Sequence, residues 1–139
     1  MQELDSGEAL TVIAIDGKKL RDATGSDPEF RLVARRWSAR IRLRMDDAAR
    51  ILTIADGTLA EVNDAPTFWD PWDIDISAPA AAWEKLLAPV PRPMYQDIFP
   101  ANLHGDFRIG GNLELLFGHY PAARRLIEIL RAQAAQGTR

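Results

Sequence analysis

The stretch ARIRLRMDDAARILTIADGTLAEVN, residues 39–63, decides how this chain folds. Ala39, Ile41, Leu43 and Met45 alternate with Arg40, Arg42 and Arg44. A period of two puts one set on a buried face and the other in water, as a half-buried strand requires. Residues 49–55 and 58–63 read as two further strands on either side of Asp56-Gly57. That dipeptide is the favoured centre of a two-residue type I′ hairpin, whose central residues both need positive φ. The turn is expected to set Ile54 against Leu59 and Ile51 against Val62.

Toward the N-terminus, Gly25-Ser26-Asp27-Pro28 is a break. Asp27 is a good N-cap and Pro28 a good first helical residue, and Phe30, Val33 and Ala34 give the following helix one apolar face. The run Leu10 to Ile15 is β-branched, as a strand would be, yet Leu10, Ile13, Gly17 and Leu20 keep helical spacing; both readings stand.

Toward the C-terminus, Pro66 and Pro71 bracket a tryptophan-containing loop. A fourth strand comes next, with Trp72, Ile74 and Ile76 expected on one face and Asp73, Asp75 and Ser77 on the other. Ser77 is expected to cap a helix through Trp83, Leu86 and Leu87, ended by Pro89, Pro91 and Pro93. Residues 94–103 are apolar and interrupted by Pro100. Residues 105–109 read as a fifth strand ended by Gly110-Gly111. Asn112 caps the last helical region, where Leu116, Tyr120, Ala123, Ile127 and Leu130 form an apolar stripe that Pro121 breaks or restarts. The order implies an α+β domain: a single five-stranded, mostly antiparallel sheet covered by helices on one face.

The chain has 139 residues, enough for one core and cramped for two. Residues 1–8 are expected to be a flexible N-terminus, 9–133 a single domain, and 134–139 a flexible tail. With 47% hydrophobic and 27% charged residues, disorder is not the main state. A net charge of −3 argues against a nucleic-acid partner. There is no cysteine, hence no disulfide, thiolate metal site or cysteine nucleophile. No apolar run has the length of a transmembrane segment, residues 1–8 are not a secretory signal and the last three are not a peroxisomal address. A cytoplasmic location is expected.

Two segments resemble a known family. Trp72-Asp-Ile-Asp-Ile-Ser-Ala78 leads into a helix, and Gly105-Asp-Phe-Arg-Ile-Gly-Gly-Asn112 precedes a closing amphipathic helix. Together with the Asp56-Gly57 hairpin they resemble the sterol carrier protein, or nonspecific lipid-transfer, domain in its stand-alone bacterial form, over about Pro28 to Arg131. The proline-rich stretch from Pro89 to Pro93 departs from the family pattern. The resemblance implies an apolar cavity between sheet and helices and carriage of a fatty acyl, sterol-like or other apolar ligand without chemistry. It carries over no catalytic residue and no cofactor. It leaves room for transient contact with a membrane surface and for a separate partner enzyme; oligomeric state stays open.

Trp83, Leu87, Met94, Tyr95, Ile98, Phe99, Leu103, Phe107, Phe117 and Tyr120 are the candidate cavity lining, although a packed core would use the same residues at the same spacings. His104 and His119 are candidate polar anchors. A small cofactor-independent enzyme working in the same cavity, with one of these histidines as acid or base, is the alternative; a structural or partner-binding accessory domain is the third reading. The chain contains neither H-E-x-x-H nor G-x-S-x-G. Gly105 and Gly110 have the spacing of a phosphate loop, but Gly111-Asn112 stands in place of its Lys and Ser/Thr. Asp70, Asp73, Asp75 and Glu84 are better read as a polar strand face than as a metal site, so no metal is expected. The arginines from Arg31 to Arg44 fit a solvated face better than an anion site; if the two strands are neighbours, Arg40, Arg42 and Arg44 pair with Asp73 and Asp75.

Overall fold

The structure, a computed structural model, describes residues 15–137. Two helices come first, α1 (Gly17–Gly25) and α2 (Pro28–Val33), then the strands β1 (Ala39–Met45), β2 (Ala48–Ala55), β3 (Thr58–Asn63) and β4 (Ile74–Ala78). Helices α3 (Ala80–Leu86) and α4 (Ile98–His104), strand β5 (Arg108–Gly111), and helices α5 (Leu113–Phe117) and α6 (Tyr120–Gly137) complete it. The sheet order is β3-β2-β1-β4-β5. Every neighbouring pair is antiparallel except β1 with β4, which is parallel. The Leu10 to Ile15 run lies outside the described residues but for Ile15, and residues 17–25 are helical with the Asp16 carboxylate capping Lys18 and Lys19.

Local chemistry explains most element boundaries. Asp27 accepts from the Phe30 N–H at 2.7 Å and Pro28 opens α2. Its carboxylate also takes two hydrogen bonds from Arg125 of α6, at 2.9 and 2.7 Å, so one side chain starts a helix and docks another. The Arg125 guanidinium holds the Asp27 carboxyl below the usual carboxylate range. Asp56 and Gly57 both have positive φ, 49° and 84°, as the two-residue hairpin demands. Ile54 pairs with Leu59 as expected, but Ile51 faces Asn63 and Leu52 faces Val62. The shift is a β-bulge: Thr53 pairs with Glu61 and Ile54 with Leu59, leaving Ala60 extra. Leu59 and Val62 lie three apart, so strict alternation could not turn both inward, and the bulge resolves the mismatch.

The inner face carries Ile41, Leu43, Leu52, Ile54, Ile74 and Ile76, all buried beneath the helices. Trp37 and Trp83 lie fully inside, and their indole N–H groups donate to Leu115 O at 3.2 Å and Arg44 O at 2.8 Å. The outer face carries the arginines, and the ion pairs expected across neighbouring strands form. Arg40 pairs with Asp73, while Arg42 and Arg44 share Asp75 at 2.7 Å each. Burial alone would push the Asp75 carboxyl up; hydrogen bonds from Arg44 and Arg42 outweigh it and hold the group low.

Four further expectations need correction. Trp72 precedes the strand, and its ring lies 4.3 Å from the Arg42 guanidinium on the outer face rather than beside Ile74. Ser77 stays in β4, paired with Arg44 and Arg108, and α3 starts behind Pro79 with no side-chain cap. Pro100 does not interrupt its segment: Asp97 caps α4 and Pro100 falls in the first turn, where N–H groups have no intrahelical acceptor. The fifth strand runs over Arg108–Gly111, so the two glycines belong to it. At Gly111 (φ +90°) a Cβ would stand 2.3 Å from Asp73 O and 2.8 Å from the Trp72 ring, so the close approach admits only glycine.

The packing generates two predictions. A Cβ on Gly57 would come within 2.9 Å of Ala34 O and Arg35 Cα. Gly57→Ala is expected to cost about 2 kcal/mol in denaturant unfolding, and Gly57→Asn should fail to rescue it despite tolerating positive φ, because the collision is with backbone. Asp75 contributes stability in full above its unfolded value of about pH 4 and loses it as pH falls through its lower folded value. Asp75→Asn is expected to lower unfolding free energy at pH 7 by about 2 kcal/mol, at the low end for a broken buried pair because Arg44 is half in water. It should also flatten the acid limb of the stability–pH curve.

Candidate functional site

The residues singled out in the sequence fall into two groups. Trp83, Leu87, Tyr95, Ile98 and Phe107 are buried. Trp83 packs edge-on against Phe107, with ring centres 5.0 Å apart. Phe99, Leu103 and Phe117 are exposed, Met94 stands at the border, and Tyr120 is half-buried. Leu113, not singled out in the sequence, is exposed as well.

The division follows from helix geometry. In α4, Ile98 and Ala101 point inward and Phe99 and Leu103 outward. In α5, Leu116 is inward and Leu113 and Phe117 outward. Each outward pair is spaced i, i+4, so each short helix presents an apolar ridge to solvent. The ridges meet where Phe99 and Phe117 contact edge-on at 5.8 Å, and Phe117 stacks on Tyr120 at 5.7 Å. Phe99, Phe117 and Tyr120 line an open hollow of about 490 Å³ with no polar surface of its own. The Tyr120 hydroxyl serves the fold instead. It accepts the Phe99 N–H at 2.9 Å, tying α4 to the start of α6. Burial, followed by a hydrogen bond with Asp97, drives the Tyr120 phenol well above its ordinary value, so it stays neutral.

The connection from α3 to α4, residues 87–97, is held by a group the sequence reading missed. Arg131 of α6 sends Nε and Nη2 to Leu86 O at 3.0 and 2.8 Å, and Nη2 also reaches Gln96 O at 3.2 Å and Tyr95 O at 3.4 Å. One guanidinium thereby satisfies the open C-terminal carbonyl of α3 and both residues leading to α4. Arg131 is one of three arginines on α6, and nothing local in the sequence sets it apart from Arg124 and Arg125. Within the same segment Met94 has φ +76°, a conformation that burdens a non-glycine residue. The Tyr95 hydroxyl donates to the Asp106 carboxylate, which raises the phenol's pKa.

The two histidines are not brought together. His104 is exposed, edge-on to Tyr95 with centroids 5.4 Å apart. His119 is half-buried and stacks on Trp37 at 5.9 Å, and its buried Nδ1 has no hydrogen-bond partner among the described residues. Among those residues neither ring meets a carboxylate that could orient it for proton transfer. The acidic residues are also dispersed. Asp70 accepts from its own loop, Asp73 and Asp75 hold arginines, and Glu84 is exposed on α3. Among the described residues no group of three His, Asp or Glu is placed to hold a metal ion.

Arg131→Met keeps the aliphatic stem and removes the donors. Amide exchange at Leu87 and Tyr95 is expected to rise about tenfold or more, while amides of β1 and β2 keep their rates. Equal acceleration everywhere would show that Arg131 supports the whole fold rather than this segment.

No family model matches the chain, and no curated protein does. Its fold is nevertheless shared with solved structures. The crystal structure of sterol carrier protein 2 is 18% identical, with 90% of this chain and 94% of that one covered and a TM-score of 0.63. A conserved hypothetical protein of Thermus thermophilus, whose solution structure carries a suggested sterol carrier assignment, is 17% identical over 91% and 85%, with a TM-score of 0.57. A UbiJ-SCP2 ubiquinone synthesis protein is 15% identical over 80% and 86%, with a TM-score of 0.53. With this strand order, its single parallel pair and helices on the inner face, the chain has the fold of sterol carrier protein 2.

Proposed function

We propose that this protein binds and carries an apolar small molecule, a fatty acyl or sterol-like compound, without chemical conversion. The observation that carries the reading is the wholly apolar hollow of Phe99, Phe117 and Tyr120, within a fold shared with a sterol carrier. The ligand's chain enters between α4 and α5 and lies under the helices, against Trp83, Leu87, Tyr95, Ile98 and Phe107. Leu103 and Met94 flank the mouth. A polar head stays outside, near His104 or His119. Affinity comes from apolar area removed from water, about 25 cal/mol per Å². Arg131 anchors the segment that frames the entrance, and the strained Met94 lets it rearrange.

Titration with a fluorescent fatty acid in detergent-free buffer tests this, alongside native mass spectrometry of the freshly purified protein. Saturable binding at micromolar concentration is expected. Phe99→Ala and Phe117→Ala should each weaken it about tenfold, the scale of one aromatic ring's burial. A flat titration together with a ligand-free mass would refute the carrier reading.

A further inference from the structure

Far along the chain from that mouth, residues 64–73 link β3 to β4, and at their centre stand the most exposed large rings of the described residues. Phe68 is 86% exposed and Trp69 85%, edge-to-face at 5.2 Å. The turn that holds them is firmly built. The Thr67 N–H donates to Asp70 Oδ2 at 2.7 Å, the Trp69 N–H to Thr67 Oγ1 at 3.3 Å, and the Asp70 N–H to Thr67 O at 3.2 Å. At its base the Ala65 N–H donates to Asn63 Oδ1 at 3.1 Å. Pro66 has no N–H to satisfy. Of the backbone donors from Ala65 to Asp70, the Phe68 N–H alone lacks a partner among the described residues.

The five residues 65–69 carry no charge. The flanking acids are engaged: Asp64 lies 3.3 Å from the Arg50 guanidinium, and Asp70 holds the turn together. An ordered, uncharged tip with all but one of its N–H groups satisfied can leave water at reduced cost, since unmet backbone groups are what a lipid environment penalises. Paired Phe and Trp rings favour the boundary between headgroups and acyl chains. We infer that the Phe68–Trp69 turn is a lipid-surface anchor that seats the protein on a bilayer through its rings, with the free Phe68 N–H directed at a headgroup oxygen. The uncharged tip and a net charge of −3 identify a zwitterionic surface rather than an anionic one. The inference extends the carrier reading, since a carrier must meet the membranes that load and unload it, but it rests on different residues.

The test is flotation of the full-length protein with phosphatidylcholine vesicles, with and without phosphatidylserine. Wild type is expected to float, with no gain from phosphatidylserine, and brominated phosphatidylcholine should quench Trp69. Phe68→Ser/Trp69→Ser is expected to reduce the floated fraction about tenfold, as binding scales with the apolar area inserted. Its melting temperature and fluorescent fatty-acid affinity should stay unchanged, because both rings lie outside the core. Failure of wild type to float at excess lipid, or equal flotation of the double variant, would overturn the anchor and leave a protein partner as the occupant of the tip. A flat fatty-acid titration with flotation intact would remove the carrier reading and keep the anchor.

Discussion

The rest of the structure depends on one buried carboxylate. Asp75 is 6% exposed at the centre of β4, between Arg42 and Arg44 of β1, at the single parallel junction in the sheet. Parallel neighbours have no tight hairpin to set their register. Here the chain leaves β3 at one edge and crosses over residues 64–73 before returning beside β1, so side chains must fix the alignment. Arg42 and Arg44 bracket Asp75, Arg40 takes Asp73 both by side chain and by backbone N–H, and the ring of Trp72 rests on Arg42. A slip of one residue would expose Ile74 and Ile76 and bury a carboxylate without partners. The inner face then shares one core with the helices.

Much of this was legible because it is local. The β1 alternation, the Asp56-Gly57 hairpin, the Asp27-Pro28 helix start and the Asn112 cap each depend on residues within a few positions of one another. The arginine–aspartate pairs were legible as a conditional: given adjacent strands, the charges had to meet. What escaped depends on the third dimension. The bulge at Ala60 arises because Leu59 and Val62 both serve the core. Trp72 follows Arg42 rather than the alternation it adjoins. Ser77 has good capping chemistry, but pairing with Arg44 and Arg108 on both sides keeps it in the sheet.

The candidate lining shows the same boundary between composition and geometry. Aromatic and aliphatic residues are dense from Trp83 to Tyr120, and density alone cannot separate a core from a surface. A helix of five or seven residues with apolar side chains on more than one side must expose some of them, so α4 and α5 divide theirs between the interior and an open ridge. The roles of Arg131 and of the loop bearing Phe68 and Trp69 escaped for the opposite reason. Each is a short signal whose meaning comes from partners distant in sequence or from the absence of any.

The Gly110-Gly111 pair in β5 bears on behaviour in concentrated solution. An outermost strand offers its unpaired amides to any neighbouring chain, and long, flat, apolar edges recruit copies into fibrils. This edge is four residues long, opens with an exposed arginine and closes on two glycines that supply no side chain for a zipper. Gly111, demanded by the close approach of Asp73 and Trp72, and its neighbour Gly110 therefore also protect the protein against β-aggregation along that border.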